Sequence, residues 1–222
     1  MLRRMFAQPL PAAGEVDLVW CPSPTPPPQQ RRASLDALLR GVLAAYLGCE
    51  PQRLEFGREP AGRPYLRNAD PSLAFNLSDT RGGSVVAVAV GLRVGVDLER
   101  LDRQPPALRL ARRYFNPEES AVLERLAPDQ QRLAFLHAWT AKESSCKATG
   151  SGLRDRLSAW RFEIDPIGAD PRVRGAPAEA GDPQRWSLRR ITPAPGFTAV
   201  VAAAGAIRRV RLIALDALPQ AS

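Results

Sequence analysis

The period of apolar positions changes several times along the chain, and each change marks an element. Val16 to Trp20 is a short apolar run that predicts a strand. Pro22-Ser23-Pro24-Thr25-Pro26-Pro27-Pro28 follows, and so many prolines predict an extended connector. From Arg31 to Leu47 the period lengthens. Leu35, Leu38, Leu39, Val42, Leu43 and Tyr46 recur at helical spacing, and Gly48 stands where the helix should end. Glu59 to Leu66 is turn chemistry with Arg63 at its centre. Leu73 to Ser78 predicts a strand running into the polar turn Asp79-Thr80-Arg81-Gly82-Gly83. Ser84 to Val90 and Leu92 to Leu98 are strongly apolar, and their tight junction at Gly91 predicts a hairpin.

The second half begins with a helix near Pro106 to Arg113, and another opens at Asn116-Pro117-Glu118-Glu119. Asparagine suits the N-cap there, proline the first helical position, and Glu119 the acidic position of a capping box. A long helix follows Pro128-Asp129. Leu133, Leu136, Ala138, Trp139 and Cys146 form its apolar stripe, and Gly150 is placed for a left-handed C-cap. Strands are expected at Ala159 to Ile164, Arg185 to Ile191, Phe197 to Ala203 and Arg208 to Leu215, with a Gly/Pro/Ala-rich loop at Gly175 to Pro183. Each half therefore offers helices and an antiparallel set of strands. The expected fold is α+β, with two similar lobes, 1–100 and 101–222, related by a pseudo-two-fold and enclosing a cleft.

Charge narrows the choice of partner. A formal net charge of +8 favours something anionic, whether nucleic acid, anionic lipid, a phosphorylated small molecule or an acidic protein. The arginines are dispersed, with no recognition motif and few aromatics among them, which disfavours nucleic acid. Three cysteines without CxxC spacing argue against a disulfide framework or a zinc site and for a reducing cytoplasm. No run approaches the roughly 18 apolar residues of a membrane span, so no membrane partner is expected.

Lys142 and Lys147 are the only lysines in a chain that otherwise uses arginine. Trp139, Glu143 and Lys147 are spaced i, i+4, i+8, on one side of the long helix. An ordinary surface Glu–Lys pair would explain them equally well. On the strand ending at Leu98, Asp97 and Glu99 present two carboxylates on one face. With Glu143 as a third they would repel one another unless a cation were present, and hard oxygen ligands select Mg²⁺ or Mn²⁺ over zinc.

Gly95-Val96-Asp97-Leu98-Glu99, followed about forty residues on by Trp139-Thr140-Ala141-Lys142-Glu143-Ser144 and Lys147, resembles the paired signature of the Sfp-type 4′-phosphopantetheinyl transferases. Gly62-Arg63-Pro64 is similar to that family's Gly-Lys-Pro turn, and Phe75-Asn76-Leu77-Ser78 to its Phe-Asn-Leu-Ser strand. Tyr114-Phe115-Asn116-Pro117-Glu118-Glu119 matches the segment between the signatures. The resemblance implies transfer of the 4′-phosphopantetheine arm of coenzyme A to a serine of a carrier protein, with release of adenosine 3′,5′-bisphosphate. It implies that Asp97, Glu99 and Glu143 hold Mg²⁺ and that Lys147 reaches the phosphates. Glu119 would take the serine's proton, unless it serves only as a helix cap. Arg63 and Arg31 or Arg32 would bind the adenosine end, and Ser78, Asp79 and Arg81 are expected among the substrate-binding residues.

Two positions depart from the family pattern. The connector Pro22 to Gln30 is shorter than the basic segment usual there, and Asp79 stands where the family has histidine. An ionised aspartate repels a phosphate, so Asp79 is expected either to cap its turn or to orient Arg81 toward the ligand. His137, the one histidine, matches no catalytic position and is read as a packing or surface residue. The expected molecule is a cytoplasmic monomer acting on an acidic carrier. The rival is a non-catalytic binder of coenzyme A or of the carrier, descended from the enzyme.

Overall fold

The structure, a computed structural model, describes residues 9–22, 27–150 and 157–215. Much of the proline connector, at 23–26, and the stretch 151–156 after the long helix lie outside the described residues. The elements run β1 (Glu15–Pro22), α1 (Pro28–Leu47), β2 (Phe56–Arg58), β3 (Pro64–Leu66), β4 (Leu73–Thr80), β5 (Gly83–Val90) and β6 (Val94–Arg100). Then come α2 (Ala107–Tyr114), α3 (Pro117–Arg125), α4 (Pro128–Thr149), β7 (Arg161–Phe162), β8 (Val173–Gly175), β9 (Trp186–Ile191), β10 (Phe197–Ala204) and β11 (Arg209–Ala214). This is the mixed α+β architecture expected from the pattern. Of the strand expected at Ala159 to Ile164, only Arg161 and Phe162 form a strand.

Two sheets carry the core, one ordered β11-β1-β5-β4 and the other β6-β10-β9. The hairpin expected at Gly91 does not form. β5 is already paired on both edges, with β1 and β4, so β6 cannot join it and pairs instead with β10. Each sheet consequently takes strands from both sides of residue 100, since β11 runs parallel to β1. The inner faces of the two sheets meet in one core containing Leu18, Trp20, Val85, Val96, Leu98, Phe197 and Val201.

β4 and β6 are not joined by a backbone ladder. The side chain of Asn76 accepts the Val96 amide at 2.9 Å, and Ser78 Oγ accepts the Leu98 amide at 3.2 Å. Side chains stand in for carbonyls, which satisfies β6 while holding the two strands farther apart than a ladder does. α1 covers the outer face of the first sheet with Leu38, Leu39, Val42 and Leu43. α4 lies on the other sheet, packed chiefly against β6 and β10. It ends as expected, with Gly150 at φ 70° and its amide bonded to the Cys146 carbonyl. Among the described residues no helix is long and apolar enough to cross a membrane.

Candidate active site

Gly95 sets the height of α4 over β6. A Cβ built there would lie 2.1 Å from the Ser144 carbonyl oxygen and 2.4 Å from the Ala148 nitrogen, both backbone atoms of α4. Only glycine lets the helix come this close. Glu143 and Lys147, on the same helical face, are thereby held against Asp97 of β6. Asp97 Oδ1 accepts hydrogen bonds from Lys147 Nζ at 2.6 Å and from Ser78 Oγ at 2.9 Å. Lys147 Nζ also donates to Ser78 Oγ at 3.0 Å and stands 3.8 Å from Glu143. Glu99 points the same way from β6 and is paired with Arg103.

The cleft around them is lined by Arg31, Arg81, Arg103 and Lys147 and by Asp79, Asp97, Glu99 and Glu143, with Ser78 and Thr80 on the β4 side. Burial, reinforced by Asp97, pushes the Glu99 carboxyl up to about 7 and that of Glu143 up to about 8. Burial acts to lower Lys147, but Asp97 and Glu143 outweigh it and the ammonium is held above its ordinary value. When all three are ionised, Asp97, Glu99 and Glu143 carry more negative charge than Lys147 and Arg103 together neutralise. Asp97 Oδ2 is buried and has no hydrogen-bond partner. An orphaned carboxylate oxygen beside two further acids suits a hard divalent cation. Among the described residues, no three His, Cys, Asp or Glu side chains already stand as a metal cage.

The other expected site residues fall in different places. Arg31, in the first turns of α1, is bonded to Asp79 at 2.7 Å and sits at the mouth of the cleft. This corrects both expectations for Asp79. It lies within β4, where it neither caps the turn nor orients Arg81, because its strand position aims it at α1. Arg81 is exposed and faces Asp102 at 3.6 Å. Arg32 lines an adjoining groove with Phe56, Arg58 and Leu77, a groove that shares Arg31 with the cleft. Arg63 is not among the cleft residues; it is half-buried, and its guanidinium is bonded to the backbone carbonyls of Lys147, Phe75 and Val94. Burial and the neighbouring Arg93 pull it down to about 10.

Glu119 is also outside the cleft lining, and it makes the expected helix cap. Its Oε2 accepts the Asn116 amide at 2.9 Å and the Lys142 ammonium at 2.7 Å, while Oε1 accepts the Phe162 amide at 2.7 Å. The full capping box is present. Lys142 is completely buried, donates also to the Leu157 and Trp160 carbonyls, and packs 4.7 Å from the Phe115 ring centroid. His137 is buried against Asp165 and Arg190; burial, aided by Arg190, holds it below its ordinary value, as expected of a packing residue. Sequence reasoning missed Arg103. Its signal is its place four residues after Glu99, a spacing that carries a pairing rule only inside helices.

Comparison with known proteins bears on this cleft directly. Residues 93–198 match the model of the 4′-phosphopantetheinyl transferase superfamily, a span that includes Asp97, Glu99, Glu143 and Lys147. The 4′-phosphopantetheinyl transferase HetI of Nostoc sp. is 35% identical over 170 residues, covering 76% of this chain and 68% of that protein. A 4′-phosphopantetheinyl transferase of Bacillus subtilis is 36% identical over 133 residues, 60% of this chain and 58% of its own length. Sfp from Bacillus subtilis strain 168 is 30% identical over 133 residues, with the same two coverages. The signature residues, the cleft they line and these similarities agree: the chain belongs to the 4′-phosphopantetheinyl transferase family.

Proposed function

We propose that the cleft of Asp97, Glu99, Glu143 and Lys147 transfers the 4′-phosphopantetheine arm of coenzyme A to a serine of a carrier protein. The serine oxygen gives up its proton to solvent water and forms the new bond to the β-phosphorus, the phosphoanhydride P–O bond breaks, and adenosine 3′,5′-bisphosphate leaves with the bonding pair. The observation that carries this reading is the buried, partnerless Asp97 Oδ2 flanked by Glu99 and Glu143 in a cleft with four basic side chains. Asp97, Glu99 and Glu143 would hold Mg²⁺ or Mn²⁺. When bound, that ion supplies neutralisation of charge on the pyrophosphate.

The remaining work belongs to the chain itself. With Asp97, Glu99 and Glu143 ionised around a bound divalent ion, the four acidic and four basic side chains of the cleft would balance, and the charge of the ion would be left to meet a pyrophosphate. Lys147 is preorganised by Asp97 and Ser78 and serves as a fixed donor to the departing phosphate. Arg31 and Arg81 stand at the mouth, where an elongated anionic ligand would leave the cleft toward the groove lined by Arg32. Ser78 positions Lys147 and Asp97. Both oxygens of Glu119 are engaged in the fold, which favours the cap over the base for this residue.

In this reading the protein is a cytoplasmic monomer of two related lobes, 1–100 and 101–222, that exchange strands β6 and β11, with the cleft between them, and the net charge of +8 suits an acidic carrier. The test is incubation with coenzyme A, Mg²⁺ and apo carrier proteins, read by intact mass. Asp97→Ala and Glu143→Ala should each slow transfer by at least 10²-fold, about 2.7 kcal/mol of barrier. Rates near wild type in both variants would remove the assignment.

A further inference from the structure

We propose that Arg63 is a positioning residue for Lys147, acting through the last turn of α4, and not a contact for coenzyme A. The proposal rests on the role given above to Lys147. An α-helix leaves its last four carbonyls without partners in the helix, and here each finds one. The Cys146 oxygen takes the Gly150 amide and the Thr149 hydroxyl. The Lys147 oxygen takes Arg63 Nη1, and the oxygens of Ala148 and Thr149 take Arg93 Nε at 2.7 Å and Nη2 at 3.0 Å. Arg93 is held in turn by Glu59. Two guanidinium groups at this end also complement the negative pole of the helix.

Arg63 does more than close the helix end. Its Nη2 donates to the Phe75 carbonyl of β4 at 3.1 Å and to the Val94 carbonyl of β6 at 2.7 Å. One planar fork therefore ties together the three elements that carry Ser78, Asp97 and Lys147. Those three residues form the hydrogen-bonded triangle at the heart of the cleft. A lysine in its place, a point donor without the fork, could not bridge all three carbonyls in that plane. The guanidinium is turned to backbone oxygens, and the groove beside it is lined by Glu59, Tyr65, Ser72 and Arg93 and contains none of the cleft carboxylates.

Lys142 and Lys147 are the only lysines, so selective labelling of lysine side chains yields two resolvable NMR signals, one inside the core and one in the cleft. Arg63→Ala should move the Lys147 Nζ signal and leave that of Lys142 in place. It should also lower kcat at least about tenfold while the KM for coenzyme A stays within about threefold. Arg63→Lys should shift the same signal in the same direction by less. If Arg63→Ala disturbs both signals, the fold itself has yielded and Arg63→Lys decides by the same criterion. An unmoved Lys147 signal, or a KM for coenzyme A raised more than about tenfold with kcat retained, overturns the proposal. If the Lys147 signal moves as expected yet Lys147→Ala transfers at full rate, the positioning stands and the functional reading of the cleft fails.

Discussion

At Glu119 and Lys142 two charges leave water together, and each depends on the other. Lys142 has no exposed surface, and its remaining protons go to two backbone carbonyls. Removing one partner of such a pair strands the other and costs about 3–5 kcal/mol, whereas replacing both with apolar groups of similar size is often neutral. Glu119→Gln should therefore lower stability to urea by an amount of that order, although glutamine can still complete the capping box. Turnover per folded molecule should hold, and Glu119→Leu with Lys142→Met should recover much of the lost stability. A stable Glu119→Gln protein without turnover would return Glu119 to the role of base. The cap was legible in Asn116-Pro117-Glu118-Glu119 because capping is local. The pairing with Lys142, 23 residues on, was not, because no short-range rule connects them. The same limit hid the partner of Asp79, which lies 48 residues back at Arg31.

Among elements, the contact between β6 and α4 is the most demanding. Gly95→Ala would drive a methyl group into two backbone atoms of α4, neither of which can rotate away. Overpacking of this kind costs about 1–3 kcal/mol, and the helix can relieve it only by moving Glu143 and Lys147 away from Asp97. Chemical denaturation should show the loss of stability, and transfer should fall further than the folded fraction explains. Unchanged turnover would mean the cleft tolerates a displaced helix. The elements themselves were nearly all legible from period, capping and glycine placement, α4 and its Gly150 terminus most clearly. The hairpin at Gly91 was misread because apolar strands with a tight link look alike whether they pair with each other or with strands far away in the chain. Only the prior claim of β1 and β4 on the edges of β5 decides it. Asp97 and Glu99 were correctly read as facing one way, since that follows from the strand period alone.

Across the whole molecule, strand β11 closes the first sheet beside β1, fastened by Arg211. Its guanidinium meets the fully buried Asp17 at 2.6 and 2.8 Å, and Tyr46 of α1 donates to the same carboxylate at 2.6 Å. Arg211→Ala would leave Asp17 buried with only the tyrosine, and a loss of about 3–5 kcal/mol is expected in thermal or urea unfolding. The transfer rate at low temperature should be little changed, since Arg211 is absent from the cleft lining. A cost below about 1 kcal/mol would show that water reaches Asp17 in the variant. Nothing in the sequence pattern joins Asp17 to Arg211, which are 194 positions apart.

That pairing also sets a timetable for the ribosome. β11 follows every other described strand, so one edge of β1 stays an open row of amides and carbonyls while β2 to β10 are synthesised. A nascent chain stalled before Arg209 would carry an apolar strand with one edge unpaired, the kind of surface that chaperones hold and that neighbouring chains can join.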